Sequence, residues 1–196
     1  MSRHIFIISL LLWLTACGTS PKTNFYILDA GQKPAANSLS ESPGPAIGLW
    51  QVQLPDMLER SQIVTRSDQF EIDVADFHWW AGSLKRNVTL VLASELSQRL
   101  QTDQIVISPW TYQHKNDYEI KIYIERFDGA LGGEVELRGT WSLLDVTGKK
   151  EPGSESFAFK VKAADNSYKA MVAAMSQLTV KLAEQVANTI AAYKPE

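Results

Sequence analysis

Two kinds of periodicity within one chain predict an α+β fold, a mixed or antiparallel sheet covered by two long helices. Apolar residues recur every three or four positions across residues 84–100 and again across residues 167–192, which is how a helix with one buried face reads. Elsewhere, short runs alternate apolar and polar side chains, as strands do when one face is packed and the other wet. The order β-β-β-α-β and then β-β-β-α hints at two related halves, each ending in a helix, without a residue-level repeat to match.

The first seventeen residues stand apart from that pattern. Arg3 precedes an apolar run from Ile5 to Leu14, and Thr15-Ala16-Cys17-Gly18 follow. A charged head, an apolar segment of about 7–15 residues and small residues at a cleavage point make a secretory signal. The run is too short to cross a bilayer, which takes about 20 apolar residues. Leu14-Thr15-Ala16-Cys17 resembles the bacterial lipobox. In that signal the cysteine thiol joins a diacylglycerol, the chain is cut before it, and the freed amine takes a further acyl chain of the palmitate kind. Cys17 is the only cysteine in the chain and sits where the apolar run ends. Two acyl chains already hold a protein stably, so the resemblance implies loss of residues 1–16 and a membrane anchor at Cys17. Gly18 bears on sorting. An aspartate there resembles an inner-membrane retention signal in enteric-type bacteria, and its absence favours the outer membrane, inner leaflet, facing the periplasm.

Residues 17–45 read as a lipidated tether with one short strand and a flexible loop. The strand is Phe25-Tyr26-Ile27-Leu28; residues 29–45 are rich in Pro, Gly, Ser, Ala and Asn and have little to bury. Residues 46–196 read as a single α+β domain. It opens with a strand over residues 47–54, stopped by Pro55-Asp56, and one helical turn fits residues 55–60. Residues 62–66 and 69–74 form a hairpin around Ser67-Asp68. Residues 76–82 then lead into the first helix, with Ser83 as N-cap and Leu84, Val88, Leu92 and Leu96 on its buried face. Ile105-Val106-Ile107 is a short strand ended by Ser108-Pro109. Residues 118–127, 134–143 and a run marked by Phe157, Phe159 and Val161 make a meander. In it Ile120, Ile122, Ile124, Leu137 and Trp141 face inward. The terminal helix carries Met171, Met175, Leu178, Leu182, Val186 and Ile190 on its stripe.

Charge and chemistry exclude more than they suggest. The net charge is −3, and losing Arg3 with the signal makes the remainder one unit more acidic, so no basic footprint for nucleic acid exists. Removal of Cys17 from thiol chemistry leaves no disulfide and no thiolate metal ligand. Of the three histidines, His4 goes with the signal, while His78 and His114 lack a second ligand at metal spacing. No nucleophile elbow, zinc-protease helix or phosphate loop occurs, and Gly129, Gly132 and Gly133 lie between two strands, not before a helix. Glu134 and Glu136 read as a solvated strand face. Asp73 and Asp76 read as flanking the positive end of the first helix, and one of Trp79 and Trp80 as core. No enzyme, metal or cofactor is expected.

Several segments, in order and spacing, resemble the PqiC (YmbA-type) lipoproteins, the ABC-type transport auxiliary lipoprotein component family. They are the lipobox cysteine with Phe25-Tyr26-Ile27-Leu28 close behind it, residues 52–58 (Val-Gln-Leu-Pro-Asp-Met-Leu), and Trp80-Ala81-Gly82-Ser83-Leu84. Phe127-Asp128-Gly129, residues 133–141 and Tyr168-Lys169-Ala170-Met171-Val172 complete the set. The resemblance implies a non-enzymatic outer-membrane lipoprotein that forms a homo-oligomeric ring. It also implies a partner, an MCE-domain protein of a complex that moves lipids across the periplasm. A monomeric lipid carrier is the alternative, and a periplasmic hydrolase the weakest one.

Overall fold

The computed structural model describes residues 21–31, 44–110, 115–146 and 153–193. Eight strands, β1 (Asn24–Tyr26), β2 (Ile47–Leu49), β3 (Gln62–Arg66), β4 (Ile72–Trp80), β5 (Ile105–Ile107), β6 (Tyr118–Gly129), β7 (Glu134–Asp145) and β8 (Ser154–Lys162), combine with two helices, α1 (Leu84–Arg99) and α2 (Tyr168–Ala192). The class is α+β, as the two periodicities predict. The strands divide into two sheets, one of three in the order β1-β4-β3 and one of five in the order β5-β2-β6-β7-β8. The larger sheet is mixed: β5, β2 and β6 run parallel, and β6-β7-β8 is the antiparallel meander.

Both helices begin at a serine whose hydroxyl accepts the backbone N–H three residues on, Ser83 from Arg86 and Ser167 from Ala170. Helix α1 ends at Leu100, where Gln101 takes the left-handed conformation (φ 51°) and the Thr102 N–H bonds the Ser97 carbonyl, closing the last carbonyls without a glycine. The helices lie side by side, with α2 across β6, β7 and β8. Leu178, Leu182 and Val186 there meet the inward Ile120, Ile124 and Leu137, all fully buried. Each such side chain is worth about 1.5–3 kcal/mol of transfer free energy.

Three elements differ from the sequence expectation. The strand over residues 47–54 is ordered as a strand only to Leu49, although a single bridge from Gln53 to Tyr123 keeps the rest beside β6. Strand β4 runs on through Asp76–Trp80 instead of leading into the helix, because both neighbours pair with that end: β3 with Gln62 opposite Trp79 and the Trp80 N–H on the Ser61 carbonyl (2.7 Å), and β1 in parallel with Asn24 opposite His78 and Tyr26 opposite Trp80. Asp73 and Asp76 therefore sit on a strand, and the first turn of α1 holds no acidic residue. Finally, β6 carries a bulge between Ile124 and Arg126, opposite Gly139, where a Cβ would run into the Tyr123 carbonyl oxygen.

That bulge reverses the alternation. Unbroken, it would turn Arg126 and Asp128 into the core behind Ile124; shifted by one, it sends Phe127 inward and places both ionic residues on the other face. There they meet Glu136 and Arg138 of β7 and Arg66 of β3. Arg66 grips Asp128 with two hydrogen bonds (2.9 and 2.8 Å), and Arg126 reaches both Asp128 (2.9 Å) and Glu136 (2.8 Å). Asp128 is 1% exposed and Glu136 8%, so Glu136 is a buried ion-pair partner, not a solvated residue; Glu134 stays at the surface, paired with Lys160. The cluster ties β3 of the small sheet to β6 of the large one.

Burial pushes the Asp128 carboxyl up, but hydrogen bonds from Arg66 and Arg126 outweigh it and hold the group below the usual carboxylate range. A depressed folded-state pKa stabilises the fold above the unfolded value, and that contribution is lost as the pH falls. Asp128→Asn is expected to cost about 3 kcal/mol in chemical denaturation near neutrality, since it leaves the part-buried Arg66 without its carboxylate and Arg126 with Glu136 alone. The gap between wild type and variant should then narrow below about pH 4; a gap constant with pH contradicts the assignment.

Candidate functional site

From Asn24 the chain is built into the fold. Strand β1 lies on the edge of the small sheet, and the Tyr26 hydroxyl hydrogen-bonds His78 Nδ1 at 2.7 Å. His78 in turn stacks on Tyr168 at the start of α2, with ring centroids 3.9 Å apart and planes 16° apart. Burial raises the Tyr26 phenol pKa. It raises that of Tyr168 too, with Asp73, Tyr26 and Asp76 adding to the effect, so the two carboxylates read as helix partners act instead on Tyr168 of α2. His78 is thus a packed residue joining β1, β4 and α2.

Two residues further on, the backbone is clamped from both helices. Leu28 is buried; its N–H donates to Asn87 Oδ1 (2.6 Å), and Asn87 Nδ2 donates back to its carbonyl (3.4 Å). The Asp29 N–H donates to Ser176 Oγ of α2 (3.1 Å). Sequence reasoning did not single out Asn87 or Ser176. The available signal was Asn87 itself, an amide inside a helix next to the buried Val88, where asparagine is disfavoured unless its side chain is engaged.

A second surface lies on the open face of the large sheet. The Trp50 indole N–H donates to Glu119 (3.0 Å), its ring stands edge-on to Trp110 (centroids 5.0 Å apart), and the Lys121 ammonium lies 4.9 Å from the ring centre. Tyr123 is half exposed beside it. Hollows of about 230 and 270 Å³ flank Trp50, smaller than the roughly 300–1,000 Å³ of a small-molecule pocket.

Cys17, Gly18 and His114 lie outside the described residues, as does Lys149-Lys150. Trp80 is core, while Trp79 is part-exposed with its N–H on the Asp76 carbonyl (2.9 Å). Met171 and Met175 are fully buried core residues. Among the described residues no group of three or more His, Cys, Asp or Glu could hold a metal, and no helix is long and apolar enough to cross a membrane.

A model of the family described as ABC-type transport auxiliary lipoprotein component matches residues 26–187. Two curated relatives, both named intermembrane transport lipoprotein PqiC, come from Escherichia coli K12 and Shigella flexneri. Each is 22% identical over 178 residues, covering 89% of this chain and 92% of the relative. Among solved structures, that of an uncharacterized protein matches with TM-score 0.69 at 19% identity, covering 87% of this chain and 99% of the other. A Xanthomonas campestris protein matches at 0.67 and 15% identity, with coverage of 85% and 96%. At these identities the structures show a shared fold.

Removing the Asn87 amide leaves two backbone groups of Leu28 without their partner. Asn87→Ala is expected to cost about 1–2 kcal/mol and to speed hydrogen exchange at Leu28 while α2 stays protected. Unchanged exchange at Leu28 would show that the clamp does not hold the strap.

Proposed function

Since the chain belongs to the family of ABC-type transport auxiliary lipoprotein components, we propose that it is a periplasm-facing lipoprotein, anchored through Cys17, that serves as a non-enzymatic docking component of an MCE-type intermembrane lipid transport system. On this reading residues 1–16 leave with the signal. Residues 17–45 form the lipidated tether, whose short strand folds back onto the domain of residues 46–196. Gly18 sorts the protein to the inner leaflet of the outer membrane. Copies assemble as a ring that receives the MCE partner, with no cofactor involved.

The observation that carries this proposal is the distance along the chain from anchor to fold. Six residues, seven Cα-to-Cα steps, separate Cys17 from Asn24, the first residue held in a sheet. Those steps can span at most about 25 Å, so acyl chains on Cys17 would hold the domain itself at the membrane. Confinement of that kind raises the effective concentration of the domain near any complex that reaches the bilayer. The aromatic residues around Trp50 have the make-up of protein contacts. Close packing of Leu178, Leu182 and Val186 against the sheet favours a dock over a monomeric carrier, which would need room between helices and sheet for acyl chains.

The processed protein is expected to begin at Cys17 with a mass increased by diacylglycerol and a further acyl chain, and to co-purify after crosslinking with an MCE-domain protein. An unmodified Cys17 thiol overturns the anchor. An acylated protein that captures no MCE-domain protein overturns the docking role.

A further inference from the structure

Resting on the anchor at Cys17, we propose that the turn between β3 and β4 is a second membrane contact, with Phe70 seated among the headgroups of the bilayer that holds the acyl chains. Phe70 is 89% exposed, more than any other large apolar side chain among the described residues. Its display is built into the turn. The Asp68 carboxylate accepts the N–H groups of Phe70 (2.6 Å) and Glu71 (2.8 Å), and the Ser67 N–H donates to the Glu71 carbonyl (3.2 Å). With these groups committed, the turn has a defined shape that leaves the ring in water.

The direction of the tether supplies the occupant. Because β1 runs parallel to β4 with Asn24 opposite His78, the chain arriving from Cys17 reaches the sheet from the end where this turn projects. The six steps from His78 back to Ile72 cover about 20 Å at 3.3 Å per residue. Seven extended Cα-to-Cα steps reach at most about 25 Å, so the anchored terminus attains the level of the turn. The opposite end of the fold points away: Arg66, at the base of the turn, is tied to Asp128 at one end of β6, whereas β2 pairs with Tyr118 at the other, beside Thr102 and Asp103. Asp68 and Glu71 flank the ring, so the contact draws on apolar burial and gains nothing from anionic lipid.

The test uses the full acylated protein in vesicles of phosphatidylethanolamine and phosphatidylglycerol. A polarity-sensitive fluorophore is placed at Gln69→Cys or, as the distal control, at Asp103→Cys; the acylated Cys17 does not compete for label. Lipid-borne quenchers are expected to quench the label at 69 and spare that at 103. Adding Phe70→Ser should lower the inserted-to-free ratio of the turn about tenfold, what burying one phenylalanine supplies. Equal quenching at both positions, or quenching at 69 that Phe70→Ser leaves unchanged, overturns the contact while the acyl mass on Cys17 leaves the anchor standing. A protein without acyl chains overturns both.

Discussion

The parallel seating of β1 on β4 is the constraint on which the rest depends. A three-residue strand on a sheet edge is marginal alone, and the fold secures it from three directions. Tyr26 bonds His78, which stacks on Tyr168; Asn87 holds both backbone groups of Leu28; Ser176 takes the next amide. The same pairing lies against the end of β4 at Trp80, on the side opposite β3, just ahead of the start of α1. A chain end that would otherwise dangle becomes a structural member.

Securing the strap to the small sheet matters only if that sheet is fixed to the large one. The bulge at Ile124/Arg126 and the ion cluster around Asp128 make that joint. Burying charges costs desolvation, and a well-packed apolar joint of equal volume could be as stable. What the bidentate grip of Arg66 adds is geometry, since a planar guanidinium meets a carboxylate in one register. The price is sensitivity to acid, because protonating Asp128 removes the charge both arginines were placed to meet.

Much of this architecture was legible in the residues. Both helices, the Ser83 cap and the meander follow from sequence patterns that local chemistry sets, such as the buried stripe of Leu178, Leu182 and Val186 on the last helix. What escaped was set by contacts distant in sequence or by single-residue shifts. Asp-Phe-His-Trp-Trp has no alternation, so nothing local shows that β4 continues through it to pair with β3 and β1. The bulge hides behind an apparently regular run, and Arg66 and Asp128 lie 62 residues apart. Phe70 continues the alternation of Ile72 and Val74, yet the Asp68 side chain takes its N–H and that of Glu71, which keeps both residues out of the ladder. Of the site, the short strand at Phe25-Tyr26 was visible; the clamps from Asn87 and Ser176 were not.

The parts form one physical account. On the proposed reading, acyl chains on Cys17 hold the chain at the bilayer, β1 with the ion cluster carries that fixation to the whole α+β body, and the aromatic face around Trp50 is left for protein contacts. Neutron reflectometry of the acylated protein on a supported bilayer tests this most directly. Protein density should begin at the headgroups or within the roughly 25 Å that seven extended Cα-to-Cα steps can span. A wider water-filled gap beneath the domain would contradict it.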